Sequence, residues 1–159
     1  MAVVTRAIRI EAPGEVVWDV LADIPGQPRW MRDLKSVRLT TPGPVGVGTR
    51  ALGRVRMFGL TADDHIEIDA FEPGRHFGLI HRGRFAGRGD LRLREEGRAT
   101  IVTWREELAP DLGRLGLPAA LAASWRLVDP VFGLVLDVVF RSDLHRLRRL
   151  IESQQRAKG

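Results

Sequence analysis

Residues 87–108 read GRGDLRLREEGRATIVTWREEL. Apolar and polar residues alternate from Gly87 to Arg94 and again from Ala99 to Leu108, the period-two pattern of half-buried strands. Between them, Glu95-Glu96-Gly97-Arg98 has the chemistry of a tight hairpin turn. The same pattern continues upstream. It predicts strands over Arg75 to Phe85, Asp64 to Phe71, Gly48 to Met57 and Ser36 to Thr40. Glu72-Pro73-Gly74 and Pro42-Gly43-Pro44-Val45-Gly46 are turns between them. Successive strands joined by short turns argue an antiparallel meander.

Different periods flank the meander. Residues 2–11 alternate as a further strand. Ala12-Pro13-Gly14-Glu15 then starts a short helix, because proline suits the first turn and an acid there suits the helix dipole. Val16, Val17, Val20 and Leu21 form its apolar face, and it ends near Asp23. Ile24-Pro25-Gly26-Gln27-Pro28 breaks it, and Arg29 to Leu34 fits one more helical turn. Residues 109–128 carry no decisive period: Leu112, Leu115, Leu117, Leu121 and Trp125 are apolar, and Pro118 offers an alternative helix start. Asp129-Pro130 reads as a cap and first turn, opening a helix of roughly 40 Å that runs to about Arg156. Its core stripe is Phe132, Leu136, Val139, Phe140, Leu144, Leu147, Leu150 and Ile151. The expected class is α+β: a curved antiparallel seven-stranded sheet wrapped around a long C-terminal helix, with two short helices after the first strand. At 159 residues the chain is expected to form a single domain, 1–159.

Composition narrows the chemistry. With no cysteine and no tyrosine, thiolate catalysis, cysteine-bound metals and phenol acids are absent. Net charge is +5, almost all of its positive part from arginine. The arginines are spread along the chain, so no nucleic-acid partner is expected. The first ten residues lack a signal peptide's apolar core, and the longest apolar-rich stretch, Val131 to Phe140, contains Asp137. A cytoplasmic protein with no membrane span is the expectation. Val131, Leu134 and Val138 fall on the side of the long helix away from its main stripe. Residues 109–128 are expected to cover them, the alternative being a second subunit in a homodimer.

The opening IEAPGEVVWDVLADIPGQPRW, through Ala12-Pro13, Val17-Trp18, Asp23 and Trp30, resembles the start of the START-like or SRPBCC superfamily. That superfamily includes polyketide cyclase/dehydrases, birch-pollen-allergen relatives and lipid-transfer domains. Gly97-Arg98-Ala99-Thr100-Ile101-Val102-Thr103-Trp104 resembles its penultimate turn and final strand. The resemblance implies a helix-grip fold with a cavity between sheet and C-terminal helix that binds a small hydrophobic organic ligand. It leaves three roles open: a polyketide cyclase/dehydrase-type lyase, a non-catalytic carrier or sensor, and an accessory module that binds another protein.

Strand parity then assigns faces. Val102, Trp104, Glu106 and Leu108 make the more apolar side of the last strand, so Glu106 is expected inside. Phe77, Leu79, His81 and Phe85 share a face, as do Asp64, Ile66, Ile68 and Ala70, and Ala51, Gly53, Val55 and Met57. Asp143 falls inside the helix stripe. His81, Glu106 and Asp64 are therefore the candidate acid/base residues, suited to enolisation, aldol closure or dehydration. Trp30, Met57, Phe77, Trp104, Phe140 and Asp143 are the candidate ligand-binding wall. Competing structural readings make His81 a merely hydrogen-bonded inward histidine and send Glu106 to solvent or an arginine. They also make Asp64 a strand-start cap and pair Asp143 with Arg141, Arg146 or a sheet arginine. No metal and no cofactor is expected: in Asp63-Asp64-His65 neighbouring side chains point to opposite faces. Gly43 to Gly48 precedes a strand rather than a helix, so it forms no phosphate cradle. Ser36, Ser124, Ser142 and Ser153 all fall outside the expected cavity.

Overall fold

The alternating segments pair as a continuous ladder. The computed structural model describes residues 1–159 except 58, 112–113, 115–118 and 159, and describes residues 57, 60 and 119–128 by their backbone only. The strands are β1 (Ala2–Ile10), β2 (Leu34–Leu39), β3 (Arg50–Met57), β4 (Leu60–Glu72), β5 (His76–Arg82), β6 (Phe85–Glu96) and β7 (Ala99–Pro110). Their order in the sheet is β1-β7-β6-β5-β4-β3-β2, so each strand of the meander pairs with its successor and β1 closes on β7. Bulges between Leu34 and Ser36 and between Ile68 and Ala70 interrupt the ladders, and bulges bend a sheet. At Gly87 a side chain would begin 1.8 Å from the backbone oxygen of Glu107, so β6 and β7 approach there more closely than any other residue permits.

Helix α1 (Gly14–Leu21) starts after Pro13 with no side-chain cap of its own. The Glu95 carboxylate, from the far end of β6, instead accepts from the Gly14 amide at 3.2 Å. An acceptor at a helix N-terminus satisfies a donor that the helix cannot. Thr100 donates to the Ala12 carbonyl at 2.8 Å and fastens the same corner to β7. Beneath α1, Trp18, Phe71 and Phe77 meet edge to face, with centroids 5.2 to 6.5 Å apart.

Several boundaries differ from the sequence reading. The strand expected over Arg75 to Phe85 ends at Arg82, and Phe85, expected on its face with His81, opens β6. The second short helix is a 3₁₀ turn over Ile24–Arg29, the segment expected to break the chain, and not Arg29 to Leu34. Asp23 accepts from the Gly26 amide and binds the Arg29 guanidinium at 2.9 Å, which closes this proline-rich turn on itself. Leu34 already opens β2. The long helix, α2 (Ala119–Lys158), begins well before Asp129 and passes through Pro130. Proline removes one amide donor from a helix interior, and burial of Phe132, Leu136 and Phe140 just beyond it outweighs that loss. Asp129, expected to cap, instead binds the N-terminal ammonium at 2.8 Å. Because residues 119–128 continue the helix, they do not fold back over Val131, Leu134 and Val138, which stay 61 to 65% exposed. Leu112, Leu115, Leu117 and Pro118 lie outside the described residues, as do the side chains of Leu121 and Trp125.

The opposite stripe of α2 packs against the concave face of the sheet, with Leu144, Leu147 and Ile151 fully buried alongside Ile10, Leu21 and Val102. Arg6 and Asp137 tie β1 to the helix by a bidentate ion pair. Among the described residues no helix is long and apolar enough to cross a membrane. Leu147→Ala should lower the free energy of unfolding by about 2–5 kcal/mol, read by urea denaturation; a loss below 1 kcal/mol would show that this layer is not close-packed.

Candidate functional site

Strands β4, β5 and β7 each contribute one ionisable side chain to the concave face. In β3–β4 register Asp64 stands opposite Gly53, and in β6–β7 register Glu106 stands opposite Gly89. His81, between them on β5, pairs with Ile66 and Gly87. Asp64 is thus diagonal to the imidazole on the adjacent strand, within reach of a long side chain, and Glu106 reaches the imidazole across β6. The glycines supply clearance. A Cβ at Gly89 would sit 2.6 Å from Glu106 Oε2, and one at Gly83 would sit 3.0 Å from Asp64 Oδ1.

The three groups form a clamp. His81 Nδ1 lies 2.6 Å from Asp64 Oδ2, and His81 Nε2 lies 2.7 Å from Glu106 Oε1. Trp104 Nε1 donates to Glu106 Oε2 at 2.8 Å. Burial disfavours a charged imidazole. The hydrogen bonds and negative charges of Asp64 and Glu106 outweigh it and push His81 up to about 10. At neutral pH both ring nitrogens therefore donate. Three of the four carboxylate oxygens have donors. The fourth, Asp64 Oδ1, is buried and has none among the described residues.

Above the clamp lies a cavity of about 100 Å³. Its walls are mainly apolar: Ile66, Leu79, Leu91, Leu108, Leu136 and Phe140 surround the polar group. This is below the roughly 300–1,000 Å³ of drug-sized pockets and on the order of the ~150 Å³ cavity known to admit benzene.

Among the candidate acid/base residues, His81, Glu106 and Asp64 come together. Glu106 turns to neither solvent nor an arginine, and Asp64 does not cap a strand start, since β4 begins at Leu60. Asp63 turns outward to Arg54 while Asp64 turns in. Among the wall candidates, Trp104 and Phe140 line the cavity and stack on one another, centroids 4.3 Å apart. Trp30 is fully buried one layer behind, edge-on to Trp104 at 5.9 Å, and does not line it. Phe77 has the expected face but lies at the other end of β5, under α1. The side chain of Met57 lies outside the described residues.

Asp143 faces a neighbouring cleft and forms no ion pair with Arg141 or Arg146 among the described residues. Its Oδ1 accepts from the Arg32 amide at 3.0 Å, and its Oδ2 has no direct partner. The carboxyl of Asp33 lies alongside it and borders both cleft and cavity. Burial, reinforced by Asp33, pushes Asp143 up to about 7; burial likewise raises Asp33. Asp33 is the ionisable lining residue that periodicity missed, because it sits in an irregular link where no face can be assigned.

Over residues 1–152 the chain matches the family described as polyketide cyclase / dehydrase and lipid transport, and it belongs to that family. No curated protein sequence matches it. Among solved structures, a START superfamily protein from Mycobacterium smegmatis superposes with a TM-score of 0.77 at 12% identity, covering 97% of this chain and 99% of that one. An aromatase/cyclase from Streptomyces sp. R1128 gives 0.73 at 20%, covering 99% and 97%. A protein from Deinococcus radiodurans gives 0.65 at 23%, covering 93% and 95%. At these identities the likeness is one of fold, and the fold is the helix grip: a curved antiparallel sheet closed by the C-terminal helix.

The shifts set the pH response. His81, raised from 6.5 to about 10, contributes stability that is fully present below pH 6.5 and lost as pH rises through 10. The unfolding midpoint should fall from pH 7 to 10, and His81→Gln should flatten that fall; an unchanged slope would refute the clamp. Asp143, raised from 3.8 to about 7, holds its proton in the folded state, so its contribution is lost as pH rises from 3.8 through 7. Asp143→Asn should therefore stabilise the protein at pH 8 by about 1–3 kcal/mol in denaturant titrations; destabilisation there would show the charged form to be favoured.

Proposed function

We propose that the cavity binds a small, largely apolar organic molecule and that the Asp64–His81–Glu106 clamp moves protons on it, in an aldol closure or a dehydration. The observation that carries this reading is the burial of an imidazolium and two carboxylates at the floor of a mainly apolar hollow. Isolating such charges from water costs several kcal/mol even when they are paired, and groups so placed in a cleft are candidates for chemistry. Family membership and the likeness to an aromatase/cyclase support the same reading.

Both nitrogens of His81 are occupied, so the ring is not the group that meets a carbon acid. Asp64 Oδ1 is the one carboxylate oxygen of the clamp without a donor among the described residues. In an aldol closure it takes the proton from carbon next to a carbonyl, and the resulting enolate carbon bonds to a second carbonyl carbon, whose oxygen then takes up a proton. In the dehydration a C–H and a C–O bond break, a C=C bond forms, and the proton leaves with the hydroxyl as water. His81 holds the carboxylate in place and lowers the cost of its charge. Glu106, fixed by Trp104, holds His81.

A carrier or sensor role is the second reading. The same saturation of His81 favours it, because a site whose hydrogen bonds are already made can serve recognition alone. His81→Ala and Glu106→Gln separate the two. In an assay on a poly-β-keto substrate each should lower turnover by about 10²-fold or more. Unchanged turnover in both variants would remove His81 and Glu106 from the chemistry, and no turnover by the parent protein alongside a co-purified apolar compound in native mass spectrometry would leave the carrier reading.

A further inference from the structure

We propose that the outward face of α2 and the cleft beside it dock on an anionic lipid bilayer, with Val131, Leu134 and Val138 entering the interface and Arg32, Lys35 and Arg56 meeting lipid phosphates. Docking there does not rest on the reading of the internal cavity.

The first support is an apolar ridge. Positions 131, 134 and 138 recur at helical spacing, so three aliphatic side chains stand on one side of α2. Each is 61 to 65% exposed, on the face opposite the buried stripe of Leu136, Phe140 and Leu144. Contiguous apolar side chains left in water and rimmed by polar groups mark an interaction surface.

Charge supplies the second support. Arg32, Lys35 and Arg56 form one wall of a cleft whose other wall is Val135, Val138 and Val139 of α2. The Arg56 amide donates to the Asp33 carbonyl at 2.7 Å, and the Arg32 amide donates to Asp143 Oδ1 at 3.0 Å. These cations are thus fastened beside the ridge. Further along α2, burial and then Arg148, Arg141 and Arg149 push His145 below its ordinary value, which marks a second group of crowded cations. None of these six Lys and Arg side chains has an ion-pair partner among the described residues. On the outer sheet face, by contrast, Arg50 is held by Glu67, Arg88 by Asp69 and Arg105 by Glu107. Acids near the ridge are already matched, Asp129 by the N-terminal ammonium and Asp137 by Arg6. Glu152 is turned to the Glu11 amide at 3.1 Å. Asp33 and Asp143 border the cleft, but burial raises both, and Asp143, at about 7, carries only part of a charge at neutral pH. Each cation brought to an anionic membrane surface adds about fivefold to binding.

Together the ridge and the cations select a bilayer. A nucleic acid would take the cations and leave the ridge in water. In a two-fold pairing the same patch meets itself, and this one offers cations without acids to match. Three aliphatic side chains also fall short of the roughly 800 Å² that each partner buries in a stable complex. A rigid acidic protein would need a groove to receive a convex ridge. A bilayer interface deforms around one, takes aliphatic groups into its acyl boundary and presents phosphates beside them.

Co-sedimentation of the intact protein with lipid vesicles tests this at pH 7 and low salt. Vesicles of equal parts phosphatidylcholine and phosphatidylserine should bind it at least about tenfold more tightly than phosphatidylcholine alone, and molar salt should remove most of that advantage. The triple variant Val131→Ser, Leu134→Ser, Val138→Ser should lose about tenfold, and Arg32→Gln, Lys35→Gln, Arg56→Gln about as much. Arg50→Gln, Arg88→Gln, Arg105→Gln removes the same charge from the outer sheet face and should change binding by less than about twofold. Near-ultraviolet circular dichroism checks that each variant is folded. No preference of the parent protein for anionic vesicles, or equal loss in the sheet-face variant, would overturn the proposal. So would full vesicle binding by the serine variant, which would leave only a diffuse charge effect. A dimer in light scattering that the serine variant dissolves would seat a second copy on the ridge instead. Because the parent protein's preference decides first, refutation does not depend on any variant folding.

Discussion

Trp104 joins the helix, the sheet and the polar cluster. One face of its indole stacks on Phe140 of α2, its edge meets Trp30 and its N–H fixes Glu106. Glu106 in turn orients His81, and His81 orients Asp64. Packing and electrostatics are therefore linked in series. The stacking that seats the helix on the sheet also sets the direction of the carboxylate at the start of the hydrogen-bond chain. Aromatic pairs of this kind contribute about 0.5–1.5 kcal/mol beyond their buried area. Their larger effect here is to remove rotamer freedom from a residue that other groups depend on.

The clamp depends on missing side chains as much as on those present. Gly53 and Gly89 stand opposite the two carboxylates, and the clearance at Gly89 is what lets Glu106 lie across β6. The cluster sits where strand pairing is regular, between the bulge that bends β4 and β5 and the close approach at Gly87. A curved sheet cannot fill its concave side with the side chains of one helix, and the remaining space lies where the small residues are.

Much of this was legible in the sequence, for a physical reason. Alternation assigns a face wherever the ladder is regular, and it carried Glu106 inward with Val102, Trp104 and Leu108, and His81 with Leu79. It does not assign depth along a strand. Phe77 lies four residues from His81, roughly 13 Å away at strand rise, so it shares the face and belongs to the layer under α1. Trp30 likewise backs the wall without forming it. Asp143 sits in the helix stripe but reaches Arg32 and Asp33, a link whose irregular backbone has no period to read. The start of α2 was misjudged because Asp129-Pro130 is a strong local signal that burial further along the helix overrides. Hydrogen-bond saturation of His81 is a matter of tenths of an ångström between distant strands, and no spacing in the chain encodes it.

The free edge of the sheet at β2 has a bearing on solubility. A long, flat outer strand offers its unpaired amides and carbonyls to any extended peptide, and natural proteins blunt such borders. Here the border strand runs only from Leu34 to Leu39, is bulged between Leu34 and Ser36, and exposes Lys35 and Arg38. A foreign strand docking there would lose register at the irregularity and would have to desolvate two cations. That border is thereby protected from growing sideways into amyloid-like ribbons.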